Sequence, residues 1–218
     1  MTTSGGFNIL VDTTPDFRGQ ALAAGLKSLA GVLFTHTHAD HLHGFDDLRA
    51  VYFAQRRPIA CFLVPHHLRE VRSRFAYAFE DTGYLGTAPK VDLCPITIDQ
   101  EFSIEDVAIE PVALPHGGPT TTGFRVGSFA YLTDFKGFPD ELRRRWRGRL
   151  HTVVASAPHF GTHPTHNSVE ETVQIIQDLG ASQGIVSHLS HLIDHARDEV
   201  RLPPNVKFAY DGMVIDVP

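Results

Sequence analysis

The chain has 218 residues, 42% of them hydrophobic, and a formal net charge of −6 with neutral histidines. This length predicts a single domain over residues 1–218 with a full hydrophobic core, and the acidic balance argues against nucleic acid as a partner. No signal peptide or membrane span is visible, and the two cysteines, Cys61 and Cys94, have apolar neighbours. Together these features predict a cytoplasmic location with reduced thiols.

The first half of the chain predicts short strands alternating with helices. The run Gly31 to Thr35 is continuously apolar until its last residue, as in a strand that is buried on both faces. Apolar spacing predicts the other elements. In chain order they are a strand at 7–12, a short helix at 22–29, a strand at 31–35, a helix at 42–52, a strand at 59–64 and an amphipathic helix at 68–79.

The second half is richer in strands. Gly127-Ser128 predicts the turn of a hairpin, and Gly180 predicts the end of a helix. The predicted elements are two antiparallel strands within 102–114, hairpin strands at 124–126 and 129–133, a strand at 152–155, a helix at 169–179, and strands at 184–187, 206–210 and 213–217. This order favours an α/β (α+β) fold with two sheets and outer helices over one doubly wound sheet.

The most informative segment is the histidine motif, residues 36–41, which reads His-Thr-His-Ala-Asp-His. So dense a polar cluster directly after a buried strand needs a partner that offsets its desolvation, and a divalent metal ion is such a partner. His36 and His38 can converge on one ion, while Asp40 and His41 point at a second. Imidazole and carboxylate ligands suit zinc and manganese, and they accept iron as well.

Further ligand types follow later strands. His116 comes after the run Val112 to Pro115, Asp134 ends Tyr131-Leu132-Thr133, and His188 ends the strand at 184–187. A single histidine at a strand end is more often a cap or a core residue, but three candidates in order after the histidine motif predict one metal centre. His191 and His195 compete with His188, which is favoured because it directly ends a strand.

With these seven residues the chain resembles the metallo-β-lactamase superfamily. Segments 12–18, 44–49, 187–191 and 209–213 look like one branch of it, the phosphoribosyl 1,2-cyclic phosphate phosphodiesterases. The resemblance implies a four-layer αβ/βα sandwich. It also implies two divalent ions, with His36, His38 and His116 on one, Asp40, His41 and His188 on the other, and Asp134 bridging them. Relatives further suggest a homodimer.

The resemblance also implies a reaction. A hydroxide that bridges the metals would attack a small, cyclic or nucleotide-like phosphodiester. His166 matches a histidine that contacts the substrate phosphate in this branch, and His159 and His163 are its rivals in the same loop. We therefore predict His166 and Asp40 as catalytic residues and His166 as a substrate-binding residue, with the imidazole protonated to steady the developing charge or the leaving oxygen.

The chain departs from the branch at its beginning. Relatives usually start with one more strand and a cysteine-rich loop that binds a structural zinc, so we expect a shortened N-terminal edge and no accessory zinc. Other functions stay open. They are a tRNA 3′-processing endonuclease, a lactone or thioester hydrolase, and a metal-binding protein that has lost activity.

Several other residues have two readings. Asp12 and Asp211 end strands, where a carboxylate could orient metal-bound histidines or simply form a turn. The arginines of segment 143–149 indicate a solvated helix face, and a phosphate-binding patch is the less favoured alternative. His66 and His67 read as surface residues away from the histidine motif.

Overall fold

The computed structural model describes residues 1–80 and 86–218. The chain divides into two compact units, Met1–Ala108 and Ile109–Pro218. Each unit contains β-strands and helices packed around a hydrophobic core, which confirms the predicted α/β class with two sheets. Within the described ranges, none of the helices has both the length and the apolar character needed to cross a membrane.

The first unit is built on a parallel sheet with the strand order β1-β2-β3-β4. Its elements, in chain order, are β1 (Ile9–Val11), α1 (Phe17–Ala23), β2 (Gly31–Leu33), α2 (Ala39–Leu42), α3 (Leu48–Gln55), β3 (Ile59–Leu63), α4 (Pro65–Arg74), β4 (Val91–Pro95), β5 (Phe102–Ile104) and the start of β6 (Val107–Pro115). Single 3₁₀ turns lie at Phe45–Asp47 and Ala76–Ala78. Because parallel strands end at the same edge, Asp12, the histidine motif and the start of α4 share that edge.

The core of the first unit joins this sheet to its helices. Strand residues alternate between the two faces, and those of β2 and β3 that face the helices are fully buried. The buried apolar side chains in this cluster are Phe17, Leu29, Val32, Phe34, Leu42, Phe45, Leu48, Val51, Ile59, Cys61, Leu63 and Val71. Packing of this kind fixes the segment from 34 to 42, which carries the histidine motif.

The second unit has a mixed sheet whose strands pair in the order β11-β10-β9-β8-β7-β6. The remaining elements are β7 (Thr120–Val126), β8 (Phe129–Leu132), α5 (Asp140–Trp146), β9 (Thr152–Ser156), α6 (Val169–Leu179), β10 (Gln183–Ser187), α7 (His195–Asp198) and β11 (Val206–Phe208), with a 3₁₀ turn at Glu199–Arg201. Strands β8 to β11 run parallel, so Asp134 and His188, which follow β8 and β10, lie at one edge.

Helix α6 shows how sequence defines an element of this unit. Ser168 and Glu171 form a capping box, and Gly180 ends the helix in a left-handed conformation with φ of 69°. The helix buries Val169, Ile176 and Leu179 in the core of the unit. These local signals agree with the tertiary packing, and the prediction of a helix over 169–179 is confirmed.

Other predicted elements differ from the structure. The helix predicted at 22–29 lies at 17–23 instead, because Gly25, with φ of 61°, ends it before Leu26. The helix predicted at 42–52 is broken at Gly44, where an added Cβ would lie 2.1 Å from the Thr14 carbonyl oxygen. The strand predicted at 213–217 is wrong, since that segment has no strand structure and Val214 is exposed.

Candidate metal centre

The side chains of the histidine motif form an N-terminal cluster, which consists of His36, His38, Asp40 and His41. The rings of His36 and His38 have centroids 4.5 Å apart, and those of His36 and His41 are 4.3 Å apart. Asp40 Oδ2 lies 3.4 Å from His41 Nε2. His36 and His41 are buried, whereas His38 and Asp40 are exposed. The motif thus combines two fixed imidazoles with two more accessible ligand candidates.

Asp12 orients two of these imidazoles. Its Oδ2 atom accepts hydrogen bonds from His41 Nδ1 at 2.7 Å and from the Thr35 hydroxyl at 2.8 Å, and its Oδ1 accepts one from the Thr35 backbone N–H at 2.8 Å. The Thr35 hydroxyl in turn lies 3.0 Å from His36 Nδ1. Burial raises the pKa of the Asp12 carboxyl, while the bonds from His41 and Thr35 act in the opposite direction. The orienting role predicted for Asp12 is therefore supported by contacts, whereas Asp211 is exposed.

Asp12→Asn is expected to weaken metal binding by about 10- to 100-fold, the usual effect of losing a residue that orients metal ligands. The substituted amide would turn an N–H₂ donor toward groups that themselves donate, which leaves at least one buried donor unsatisfied. Metal affinity can be measured by competition with a chromophoric chelator. Asp16→Asn, on the exposed start of α1, is the matched control. Equal affinities in the two variants would contradict the orienting role.

A C-terminal cluster, consisting of His116, Asp134 and His188, lies in the second unit. Asp134 Oδ1 is 2.9 Å from His188 Nε2, and ligand atoms of Asp134 and His116 lie within 4.8 Å of one another. His116 and Asp134 are buried, and His188 is partly buried. The strand ends therefore bring these three predicted ligands together.

Backbone strain marks the strand ends that carry these residues. Asp12, Asp134 and His188 have φ values of 59°, 50° and 58°, in the left-handed region that residues other than glycine seldom adopt. Such conformations cost free energy and concentrate at functional sites. Asp134 is held in place by the Ser156 hydroxyl, which accepts from its backbone N–H at 2.8 Å, and by the Thr133 hydroxyl, which donates to Oδ1 at 2.8 Å.

His116 is oriented by the loop that carries His166. Its Nδ1 atom lies 3.1 Å from the Thr165 carbonyl oxygen, and only N–H donation by His116 makes this a hydrogen bond. Gly117 permits the close approach, because its φ is 65° and an added Cβ would lie 2.3 Å from Thr165 Cγ2. A glycine at 117 is thus required by both backbone conformation and space.

Gly117→Ala is expected to lower the free energy of unfolding by about 1–3 kcal/mol, because a strained φ and a steric clash act together. Gly161→Ala separates the two causes, since Gly161 has φ of 86° but faces open space. That control should lose only about 1 kcal/mol. Denaturant unfolding of both variants checks the difference, and equal losses would show that contact with Thr165 has no effect.

His166 lies beside the C-terminal cluster. Its ring centroid is 5.0 Å from that of His116 and 5.7 Å from that of His188, and His163 lies 5.1 Å away on the other side. Desolvation, and then the neighbouring imidazoles, lower the pKa of His166 to about 4 against the opposing effect of Asp134. Burial therefore favours the neutral imidazole, whereas the sequence predicts a protonated one during the reaction.

Burial and contacts bear on three other sequence predictions. His67 is buried rather than a surface residue, because α4 begins at the sheet edge that carries the histidine motif. Arg143 forms an ion pair with Asp178, and Arg145 with Glu110, so these two side chains are engaged within the unit, whereas Arg144, Arg147 and Arg149 are exposed as on a solvated face. Both cysteines are free thiols, Cys61 buried and Cys94 partly buried.

The chemistry of the donors fits a divalent metal ion. Both clusters offer imidazole nitrogens and carboxylate oxygens, which zinc and manganese accept. In His36, His41 and His116 the Nδ1 atom has an oxygen partner, so Nε2 is the atom that each can present to a metal. Partners of this kind fix the tautomer and the ring orientation of metal-binding histidines. The arrangement supports divalent metal binding.

Comparison with known proteins gives the family. The family profile of the beta-lactamase superfamily domain matches residues 7–189, which include every predicted ligand. The chain belongs to the metallo-β-lactamase superfamily. A crystal structure of a diphosphatase from the PhnP family aligns with a TM-score of 0.88 and 31% identity over 97% of this chain and 80% of that chain. The superfamily, its fold and the class of metal-dependent hydrolase are thereby confirmed, and the PhnP relationship fits the predicted phosphodiesterase branch.

Two further similarities extend this placement. Human tRNase Z, short form (ELAC1), aligns with a TM-score of 0.73 at 18% identity, over 100% of this chain and 91% of that one, and shares the fold. The octanoyltransferase of Porphyromonas gingivalis (strain ATCC BAA-308 / W83) is 34% identical over 212 residues. The match covers 97% of this chain but 42% of that protein, so the chain spans about two-fifths of the length of this curated relative.

Proposed function

We propose that this chain is a phosphodiesterase that uses two divalent metal ions to cleave a small phosphodiester. The observation that carries the proposal is the position of His166, a histidine outside the predicted ligand set that neighbours both His116 and His188. Such a side chain can reach a substrate held at the metals without taking a place among their ligands. The similarity to a PhnP-family diphosphatase, which also acts at phosphorus–oxygen bonds, favours the same chemistry.

The proposed ligands are those of the two clusters. His36, His38 and His116 would hold one ion, Asp40, His41 and His188 the other, and Asp134 would contact both. Zinc and manganese suit this donor set best. When bound, two such ions lower the pKa of a water molecule and stabilise negative charge on the phosphoryl oxygens.

The protein's own side chains do the remaining work. Asp134 is held rigidly by Ser156 and Thr133, so its carboxylate needs no reorganisation during the reaction. His166 is neutral and retains one N–H, which can donate a hydrogen bond to a phosphoryl oxygen or to the leaving oxygen. An anionic phosphate beside it would raise its pKa and favour uptake of a second proton from solvent, and the resulting imidazolium could transfer that proton to the leaving oxygen and return to the neutral form. Asp40, exposed at the start of α2, is the second proposed catalytic residue.

The test is turnover by the purified chain after reconstitution with manganese or zinc. The panel contains a chromogenic phosphodiester, a disubstituted diphosphate, a phosphomonoester and an octanoyl thioester. We expect metal-dependent cleavage of the first two and little of the others. Cleavage of the thioester alone would favour the alternative of a lactone or thioester hydrolase. The similarity to an octanoyltransferase is the reason for including an octanoyl substrate. Two bound metals without any turnover would indicate a metal-binding protein that has lost activity.

A further inference from the structure

Helix α4 contacts the residue that lies between two of the predicted metal ligands. Thr37 separates His36 from His38 and is buried, with 4% of its surface exposed. Its hydroxyl donates a hydrogen bond to Glu70 Oε2, and its backbone carbonyl accepts one from Arg74 Nη1. One peptide of the histidine motif is thus held at both its side chain and its main chain by a helix outside the motif.

The register of the parallel sheet explains why α4 is in reach. Leu33 of β2 pairs with Phe62 of β3, and the backbone N–H of Phe34 donates to the Phe62 carbonyl at 3.0 Å. Strand β3 therefore ends level with the histidine motif, and Pro65 starts α4 almost at once. Glu70 and Arg74 are four residues apart, so they project from the same face of the helix.

The two side chains also support each other. Arg74 Nη2 lies 3.5 Å from Glu70 Oε2, and the hydrogen bond from Thr37 is the main cause that lowers the pKa of the Glu70 carboxyl. Both side chains are nearly half exposed, at 48% and 42%, and an exposed ion pair contributes little to global stability. Their contacts act on the Thr37 peptide itself, which lies four residues beyond the end of β2.

We propose that Glu70 and Arg74 are positioning residues, which hold the Thr37 peptide so that His36 and His38 present their nitrogen atoms to one metal ion. The inference rests on the proposed metal ligands. Successive residues of an extended segment point to opposite sides, so His36 and His38 lie on one side of the backbone and Thr37 on the other. The two imidazoles, whose ring centroids are 4.5 Å apart, can bind one ion only while the backbone at Thr37 keeps this conformation. The hydroxyl and carbonyl contacts from α4 hold that conformation. Loss of either contact would let the two imidazoles separate without disturbing the core.

The test uses cobalt(II), whose visible spectrum reports the ligand geometry at a site that accepts zinc. We expect Glu70→Ala and Arg74→Met each to weaken cobalt binding by about tenfold or more and to alter the spectrum, while the metal-free melting temperature stays unchanged. Glu70→Gln keeps an oxygen that accepts from Thr37 and should restore most of the affinity. Arg69→Met, on an exposed position of the same helix, is the matched control.

A double-mutant cycle identifies the contact. Thr37→Val removes the hydroxyl but keeps the shape, so it should weaken binding as Glu70→Ala does, and the double variant should lose no more than either single one. Cobalt affinity and spectrum equal to wild type in Glu70→Ala and Arg74→Met would overturn the inference. So would a parallel fall in metal-free melting temperature, which would show a general folding role. Failure of the wild-type chain to bind cobalt would instead refute the proposed metal ligands.

Discussion

Asp134→Asn is expected to reduce phosphodiester turnover on the order of a thousandfold, which corresponds to about 4 kcal/mol of transition-state stabilisation. Asp134 is the one residue that the proposed ligand sets have in common. Replacing its carboxylate removes the negative charge that would keep two cations close together, so the second ion should bind weakly or not at all. Asparagine is chosen because it tolerates the left-handed backbone at this position better than alanine, and folding should be preserved.

Two measurements are needed for this variant. Metal content per chain should fall from two toward one, and turnover of the chromogenic phosphodiester should fall with it. Asp140→Asn is the control, because Asp140 lies exposed in the first turn of α5 and should keep both metal content and rate. Turnover by Asp134→Asn at the wild-type rate would refute the proposed two-metal centre, whatever the metal content.

The proposed metal ligands could be named from the sequence more readily than the residues that surround them. His36, His116, Asp134 and His188 could be named because each follows an apolar strand, and Asp134 and His188 share an edge because β8, β9 and β10 are parallel. Asp12 could be identified by the same rule, since β1 pairs with β2. Each signal is a short stretch of sequence, and the regular pairing of strands within a sheet places the residues at their ends close together.

Contacts that depend on the register between elements could not be predicted in this way. Glu70 and Arg74 lie on an amphipathic helix and have the appearance of a solvated ion pair, yet they hold Thr37 because β3 ends level with β2. His67 also has the appearance of a surface residue in the sequence, but it is buried because α4 begins at the sheet edge that carries the histidine motif. The left-handed backbone at Asp134 and His188 also leaves no trace in the sequence, because neither residue is a glycine.

Elements without strong local signals were missed or misplaced. Strand β4 has only a partly buried pattern that ends in proline, and it is a strand because β3 provides hydrogen-bonding partners along its whole length. The segment after Asp211 shows the opposite case, a predicted strand that the structure does not contain. Its alternation suggested a strand, but alternation alone does not make one where no neighbouring strand pairs with it among the described residues.

His166→Gln is expected to slow phosphodiester cleavage by about a hundredfold or more while leaving the metal content at the wild-type level. Glutamine keeps a hydrogen-bond donor of similar reach but cannot gain and release a proton near neutral pH. The loss should therefore be larger for a substrate with a poor leaving group, which needs protonation, than for a nitrophenyl ester, which does not. That difference separates proton transfer from simple hydrogen bonding.

The rival within the same loop provides the comparison. The Nδ1 atom of His163 accepts a hydrogen bond from the Thr165 backbone N–H at 3.3 Å, so its tautomer is set by its own loop rather than by a substrate. His163→Gln should change kcat far less than His166→Gln. A larger effect at His163 would transfer the proposed role to that residue. Loss of a metal ion from His166→Gln would instead show that His166 is a ligand, and the assignment of His188 or His116 would then need revision.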